Sequence, residues 1–265
     1  MTEVIMLKVA KIKEEYPGTK SFFFNHKLNS QPGQFVMIWL PGLGEKPMSI
    51  AADSGEEFQI TISGVGPFSK AMQDIKEQDT IGIRGPLGTH FNLKGEKIAL
   101  VAGGYGAGPM AFLAEKAVWE KYKPANIHYI IGARTKELLL FEQRMKTIGV
   151  NIHITTDDGS QGKEGRVTDA LKEIIEEVDM IYCVGPEMME RAVFDLAIEH
   201  NKQCEISLER YMKCGIGICG SCCVDPTGWR MCIEGPVLDQ DQIKKVAEFG
   251  KYHRDATGKK VVFKT

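Results

Sequence analysis

The sequence predicts three parts: an antiparallel β-barrel, a doubly wound parallel-sheet α/β domain and a small cysteine-rich C-terminal segment. From Val4 to about Lys94, short β-prone runs are separated by turn residues, as in small barrels. From Ile98 onward, buried strand-like runs alternate with helix-like runs, which is the βαβ pattern of a parallel sheet. Four of the ten residues from Cys214 to Cys223 are cysteines. We expect three domains, which comprise residues 1–95, 96–203 and 204–265.

Composition narrows the possible partners and location of the chain. Its 265 residues carry a formal net charge of −2 and no dense basic run. These features argue against nucleic acid or a membrane surface as a partner recruited by charge. Met1 to Ala10 lacks the basic start and the cleavage site of a secretory signal, and no stretch reaches transmembrane length. The expected location is the cytoplasm.

The barrel region contains two candidate phosphate-binding stretches. The first, Lys46-Pro47-Met48-Ser49, places a cation, a rigid proline and a hydroxyl at the expected end of a strand. The second is a glycine turn, 64–67, that opens a predicted helix over SKAMQDI. Glycines at a helix N-terminus offer unpaired N–H groups and a dipole suited to a pyrophosphate.

The α/β region contains a glycine turn in the position that a dinucleotide site requires. The strand IALVAGG runs into Tyr105-Gly106-Ala107-Gly108-Pro109 and then into a helix-like segment. The glycine spacing is not the Rossmann G-x-G-x-x-G. Ligands in such sheets bind at the carboxyl ends of the strands, so 103–108, 132–134, 155–158 and 184–186 are candidate tips. Arg134 could stack on an adenine or meet a ribose phosphate, or it could be a solvated surface residue.

The cysteine loop has the spacing of an iron–sulfur site. Cys214, Cys219 and Cys222 follow C-x4-C-x2-C, and Cys232 supplies a fourth thiolate, as in plant-type [2Fe-2S] proteins. Glycines at 215, 217 and 220 would allow positive φ angles and leave backbone N–H groups free to point at sulfur. Cys223 breaks the x2 spacing and is interpreted as a non-ligand.

Two alternatives for the same cysteines stay open. A structural zinc site could use these thiolates, although zinc modules favour two short C-x2-C pairs and Cys214 and Cys232 each stand apart. Disulfides fit less well, because seven cysteines leave one unpaired and nothing marks the chain as exported.

Read together, the motifs are similar to those of a known family. They are KPMSI, GPLG, AGGYGAGPM, GARTKELLLFE, TTDDGSQGKEGRVTD, SLERYMKCGIGICGSCCVD and MCIEGPV. The chain resembles the iron–sulfur flavoproteins of the ferredoxin reductase superfamily, and among them the electron-transfer subunits of class B dihydroorotate dehydrogenases. The resemblance implies FAD in the barrel, a nicotinamide nucleotide, NAD(P), on the second domain and a [2Fe-2S] cluster in the third.

The resemblance also assigns residues to these groups. The expected cofactor-binding residues are Lys46, Pro47, Met48, Ser49, Thr61, Ile62, Ser63, Gly66, Pro67, Gly103, Gly104, Gly106, Gly108, Arg134, Gly185 and Pro186, and the expected metal ligands are Cys214, Cys219, Cys222 and Cys232. Three positions depart from the family pattern. Lys46 replaces the usual arginine, Pro67 stands where the family has threonine, and Cys183 is displaced by one residue from the family's Cys-Gly-Pro.

The resemblance implies an electron-transfer function with no catalytic acid or base on this chain. A separate FMN-containing subunit would oxidise dihydroorotate in pyrimidine biosynthesis, and electrons would pass through the cluster and FAD to NAD⁺, within a heterotetramer. Two alternatives share the architecture, namely the small subunit of a sulfide dehydrogenase and that of a ferredoxin-dependent NADP⁺ transhydrogenase. A different class of protein, a zinc-stabilised scaffold or nucleotide sensor, would contain neither flavin nor cluster.

Overall fold

The computed structural model describes residues 3–263, and its first part is a seven-stranded antiparallel sheet. The strands occur in the order β1-β7-β4-β5-β6-β3-β2. Their bounds are β1 Ile5–Lys8, β2 Lys11–Tyr16, β3 Thr19–Phe24, β4 Phe35–Leu40, β5 Gly44–Asp53, β6 Phe58–Ser63 and β7 Thr80–Leu87, with helix α1 at Pro67–Asp74.

A single chain segment joins the two ends of this sheet. The N-terminal β-prone run forms two strands, β1 and β2. Val9 donates to the carbonyl of Asp79, whereas Ala10 donates to that of Phe23, so the chain changes neighbours between these two residues. Strand β1 therefore pairs with β7 and β2 pairs with β3, which brings the outer strands together and gives the predicted barrel.

The prediction that Lys46 to Ser49 ends a strand is wrong. These four residues lie inside β5 and pair with β4, with Lys46 opposite Ile38 and Ser49 opposite Phe35. Strand β6 joins β5 only from Ile50 onward. Among residues 3–263, the other edge of β5 therefore has no strand partner over 44–49, which is why a proline is tolerated there.

The second part is a mixed, mostly parallel seven-stranded sheet with helices on both faces. Its order is β11-β10-β9-β8-β12-β13-β16. The strands are β8 Ile98–Gly103, β9 Ile127–Ala133, β10 Asn151–Thr156, β11 Lys163–Glu164, β12 Met180–Val184 and β13 Gln203–Ser207, and the helices are α2 Ala107–Trp119, α3 Glu142–Ile148, α4 Val167–Ile174 and α5 Glu187–Glu199. Strand β8 lies at the centre and is buried along its whole length, as expected for a strand covered on both faces.

The C-terminal part returns to this sheet. Its elements are β14 Cys223–Val224, β15 Trp229–Arg230, β16 Val237–Asp239, α6 Gln240–Ile243, β17 Tyr252–Arg254 and β18 Lys260–Val262. Strand β16 pairs antiparallel with β13, and β13 itself spans the expected boundary between residues 203 and 204. The three-domain division stays a prediction, and the third part is attached to the second through this pairing. Among residues 3–263, no helix is both long enough and apolar enough to cross a membrane.

Candidate cofactor sites

The four predicted metal ligands lie on one loop and form two pairs. The sulfurs of Cys222 and Cys232 lie 3.4 Å apart, and both residues are buried. The Cys219 amide donates to the Cys214 sulfur at 3.5 Å, which links the other two cysteines. One pair is therefore buried, while Cys219 of the other pair faces solvent.

Backbone amides point at these sulfurs, as the glycine pattern predicts. The amides of Gly217 and Ser221 donate to Cys232 and Cys219, at 3.2 and 3.5 Å. Partial burial acts to raise the pKa of the Cys214 thiol, but amides of the loop together hold it at about 6. Burial raises the pKa of the Cys232 thiol to about 12, with the adjacent Cys222 acting in the same direction. N–H donors of this kind stabilise thiolates and metal-bound sulfur.

The loop glycines take the predicted backbone conformation. Gly215, Gly217 and Gly220 have φ angles of 68°, 75° and 70°. A Cβ on Gly215 would lie 2.9 Å from the Met37 side chain, so the loop packs directly against the barrel. A side chain there would be strained and would also clash.

A structural zinc site is the alternative for the same four cysteines. A structural zinc ion needs four ligands around one point. Over the part of the chain that the structure describes, no three His, Cys, Asp or Glu side chains are placed to hold a metal ion. A cluster would instead need the four thiolates around a group larger than one ion.

The expected flavin string lies along the open edge of β5. Lys46, Pro47 and Met48 are partly exposed and Ser49 is exposed. The Lys46 ammonium lies over the ring of Tyr211, 4.8 Å from the centroid of that ring. Tyr211 precedes Cys214 by three residues. An unpaired strand edge offers backbone donors and acceptors to a ligand, so this stretch can hold a planar ring system.

The other expected flavin residues offer less than the sequence suggests. The Thr61 hydroxyl lies 2.8 Å from that of Ser21, and the Ser63 hydroxyl lies 2.5 Å from that of Thr19. Ile62 packs its side chain in the barrel core. Both hydroxyls are therefore already paired within the sheet, and the Ile62 side chain is not available to a ligand.

Backbone amides of the Gly66-Pro67 turn are hydrogen-bonded to a side chain of the helix that follows. The Ser69 hydroxyl accepts hydrogen bonds from the amides of Val65 and Gly66, at 3.0 and 2.9 Å. Pro67 is exposed and has no N–H group to donate. Two of the amides expected to meet a pyrophosphate are thus already satisfied.

The glycines of the nucleotide domain bring two strand tips into contact. A Cβ on Gly106 would lie 2.0 Å from the carbonyl oxygen of Val184, and one on Gly185 would lie 3.1 Å from the Cα of Gly103. Gly104, with φ of 52°, has no atom within 4 Å of its Cβ position. The close packing accounts for most of these glycines, and Gly104 marks the open side of the turn.

The remaining nucleotide candidates surround the same tips. A Cβ on Gly108 would lie 3.2 Å from the Ala51 side chain, so the start of α2 packs against the barrel. Arg134 is exposed after β9, and Pro186 is exposed at the start of α5. Cys183 is fully buried, in keeping with its displaced position.

Sequence reasoning missed a group of buried charges beneath these tips. The Arg210 guanidinium pairs with Glu187 and Glu248, each at 2.6 Å, and all three side chains are buried. Glu190 is 1% exposed and accepts a hydrogen bond from the Gly185 amide at 3.0 Å. Burial raises the pKa of the Glu190 carboxyl well above its ordinary value of 4.5.

The barrel, the nucleotide sheet and the four-cysteine loop together define an electron-transfer reductase of the ferredoxin reductase fold. Ferredoxin NADP⁺ reductase from Neisseria gonorrhoeae shares this fold, with a TM-score of 0.65 and 18% identity over 76% of this chain and 92% of that chain. A chain of the NADH-dependent reduced ferredoxin-NADP oxidoreductase structure is more similar, with a TM-score of 0.80 and 28% identity over 94% of this chain and 95% of that chain.

The sequence relatives are more specific than the fold. Residues 209–244 match the iron–sulfur cluster binding domain of dihydroorotate dehydrogenase B, and residues 100–195 match the oxidoreductase NAD-binding domain. The chain is 43% identical to the "Probable dihydroorotate dehydrogenase B (NAD(+)), electron transfer subunit" of Methanocaldococcus jannaschii, over 99% of this chain and 100% of the relative. The protein of the same name from Pyrococcus furiosus is 40% identical over 96% of this chain and 98% of that relative. The chain belongs to this family of electron-transfer subunits.

Proposed function

We propose that this chain carries electrons between a catalytic FMN-containing dihydroorotate dehydrogenase subunit and NAD⁺, in a heterotetramer that serves pyrimidine biosynthesis. Membership of a family of electron-transfer subunits implies a catalytic partner. The observation that carries the proposal is the loop of paired cysteines, packed against the barrel strands through Gly215. A [2Fe-2S] cluster, FAD and a nicotinamide nucleotide are the groups that these sites would hold.

The three groups, when bound, divide the chemistry, because nicotinamide exchanges hydride, an iron–sulfur cluster exchanges single electrons and a flavin exchanges either. The protein contributes binding and orientation. Cys214, Cys219, Cys222 and Cys232 would hold the cluster, and the loop amides would stabilise the sulfur charge. The string 46–49 would bind FAD along the open edge of β5, and the tips at Gly104 and Pro186 would bind the nucleotide.

The exposed side of the cysteine loop is the expected docking face for the partner. Ile218 is 80% exposed, Ile216 40% and Ile233 43%, and all three lie beside the cysteines. Large apolar side chains grouped on a loop are a common feature of protein interfaces. Docking at this face would place the partner next to Cys219, the most exposed of the four ligands.

Reconstitution tests the proposal. The purified chain should contain flavin and iron and should oxidise NADH with artificial acceptors, but it should not turn over dihydroorotate until the catalytic subunit is added. Light scattering of the mixture measures the assembly. Dihydroorotate oxidation by this chain alone would contradict a dedicated electron-transfer role.

The flavin site is tested separately by Lys46→Ala. The loss of its ammonium should weaken flavin retention while the iron content stays at the wild-type level. Wild-type flavin content together with a loss of iron would show that the flavin string is misassigned.

A second candidate is the small subunit of a ferredoxin-dependent NADP⁺ transhydrogenase. The observation that favours it is the similarity to a chain of the NADH-dependent reduced ferredoxin-NADP oxidoreductase structure. The two functions differ in partner and acceptor. Activity with dihydroorotate and the FMN subunit supports the first, whereas activity with reduced ferredoxin and NADP⁺ and a different large subunit supports the second.

A further inference from the structure

A buried arginine of the barrel donates a hydrogen bond to the backbone of a cysteine in the loop that carries the four predicted ligands, here called the cluster loop. Arg84 lies on β7 and its side chain is 9% exposed. Its Nη2 donates to the carbonyl oxygen of Cys214 at 2.7 Å. The two residues are 130 positions apart in the sequence, so this hydrogen bond joins the first and third parts of the chain.

The same guanidinium is fixed from the other side by the strand that carries the expected flavin string. Arg84 Nη2 lies 2.5 Å from Glu45 Oε2, and its Nε lies 3.4 Å from Glu45 Oε1. Glu45 directly precedes Lys46 on β5. A planar guanidinium can donate in several fixed directions at once, whereas a lysine ammonium at the end of a flexible stem cannot hold two partners with the same geometry.

Two further contacts join the loop to the barrel at the same place. The Lys46 ammonium lies over the Tyr211 ring, and Gly215 packs against Met37 and Leu87 with no room for a side chain. All three contacts lie within four residues of Cys214. The opposite side of the loop, around Ile218 and Cys219, is exposed. The inner side of the loop is thus held by the barrel, while its outer side is free to meet a partner.

We propose that Arg84 is a positioning residue that fixes the Cys214 side of the cluster loop to the flavin-binding strand and so sets the spacing between the two redox groups. The effect on the spacing of the redox groups rests on the proposed function. The hydrogen bond from Arg84 to the Cys214 carbonyl does not depend on that function. Arg84 supports Cys214 from behind, in the way that residues around a metal site orient its ligands.

The test compares Arg84→Gln and Arg84→Lys with Glu45→Gln, which keeps the arginine but removes its ion pair. Arg191→Gln is the control, because it breaks an arginine–carboxylate pair between two residues of α5. Hydrogen exchange of the amides from Gly215 to Cys219 is measured with and without iron, and the rate at which NADH reduces the cluster through the flavin is measured in the loaded protein.

Both Arg84 variants should show faster exchange in the loop and cluster reduction slowed by about 10- to 100-fold, the range found when a residue that orients a metal ligand is lost. Glu45→Gln should show a smaller change in the same direction, and Arg191→Gln none. Wild-type exchange and wild-type cluster reduction in both Arg84 variants would overturn the inference. Absence of flavin and iron from the wild-type protein would instead count against the proposed function, and loop exchange in the iron-free protein would still decide whether Arg84 fixes the loop.

Discussion

Glu190 is a buried acid beneath the candidate nucleotide-binding tips, and its raised pKa can be tested. Its Oε1 accepts the Gly185 amide, and its Oε2 has no hydrogen-bond partner among the described residues. Burial is the main cause of its raised pKa, and Glu187 and Glu209 act in the same direction, while the Gly185 amide and Arg210 oppose them. Burial therefore favours the protonated form of this carboxyl in the folded protein.

The pH dependence follows from the difference between the folded and unfolded states. The unfolded chain loses the Glu190 proton near the ordinary pKa of 4.5, whereas the folded protein keeps it to a much higher pH. The stabilisation is thus complete below pH 4.5 and declines as the pH rises toward the folded-state pKa. Within that range, one proton corresponds to at most about 1.4 kcal/mol per pH unit.

Glu190→Gln isolates this contribution, because glutamine keeps an acceptor for the Gly185 amide and cannot ionise. As the pH rises above 4.5, the unfolding free energy of the variant should increase relative to that of wild type, by at most about 1.4 kcal/mol per pH unit, measured by urea unfolding. Glu199→Gln, at the exposed end of the same helix, serves as the control. Its unfolding free energy should change with pH as that of wild type does. The same pH dependence of the unfolding free energy in Glu190→Gln and wild type would refute a raised pKa for this carboxyl.

Three further predictions concern the cluster, the strand tips and the buried ion pairs. Cys222→Ser should lose most of the bound iron and Cys223→Ser should retain it, and the reverse result in an iron assay would overturn the ligand assignment. Gly106→Ala should cost about 1–3 kcal/mol in thermal unfolding, because its Cβ would overlap a backbone carbonyl, while Gly66→Ala, whose Cβ meets no atom within 4 Å, should cost little. Arg210→Met should cost about 3–5 kcal/mol by urea unfolding, since it leaves two buried carboxylates without their cation, and a loss below 1 kcal/mol would contradict this account.

Local patterns predicted much of this molecule. The cysteine spacing and the glycines between the cysteines indicated a loop of positive-φ turns with amides directed at sulfur, and Gly215, Gly217 and Gly220 have that conformation. The alternation of strands and helices after Ile98 predicted the nucleotide sheet. These features depend on residues close together in the sequence, which is why they could be predicted from it.

Features that depend on distant contacts were missed. Lys46 to Ser49 contains a proline and follows glycines, which suggested the end of a strand, but an edge without a strand partner accommodates a proline. Arg84 and Arg210 are charged residues of a kind usually exposed, and nothing near them in the sequence indicates their buried partners. Strand β16 pairs with β13 across the whole cysteine loop, and no local signal predicts that pairing.

This last pairing bears on the chain entropy of the cluster loop. Residues 208–236 connect two antiparallel neighbours, with Ser207 opposite Val237, and the Leu208 amide donates to the Pro236 carbonyl at 2.9 Å. The ends of the loop are therefore already held together by the sheet before any iron binds. Since bringing the ends of a flexible loop together carries an entropic cost that grows with its length, the sheet lowers the free energy required to assemble the cluster. Changes that weaken β16 should consequently reduce the affinity for iron without altering any cysteine.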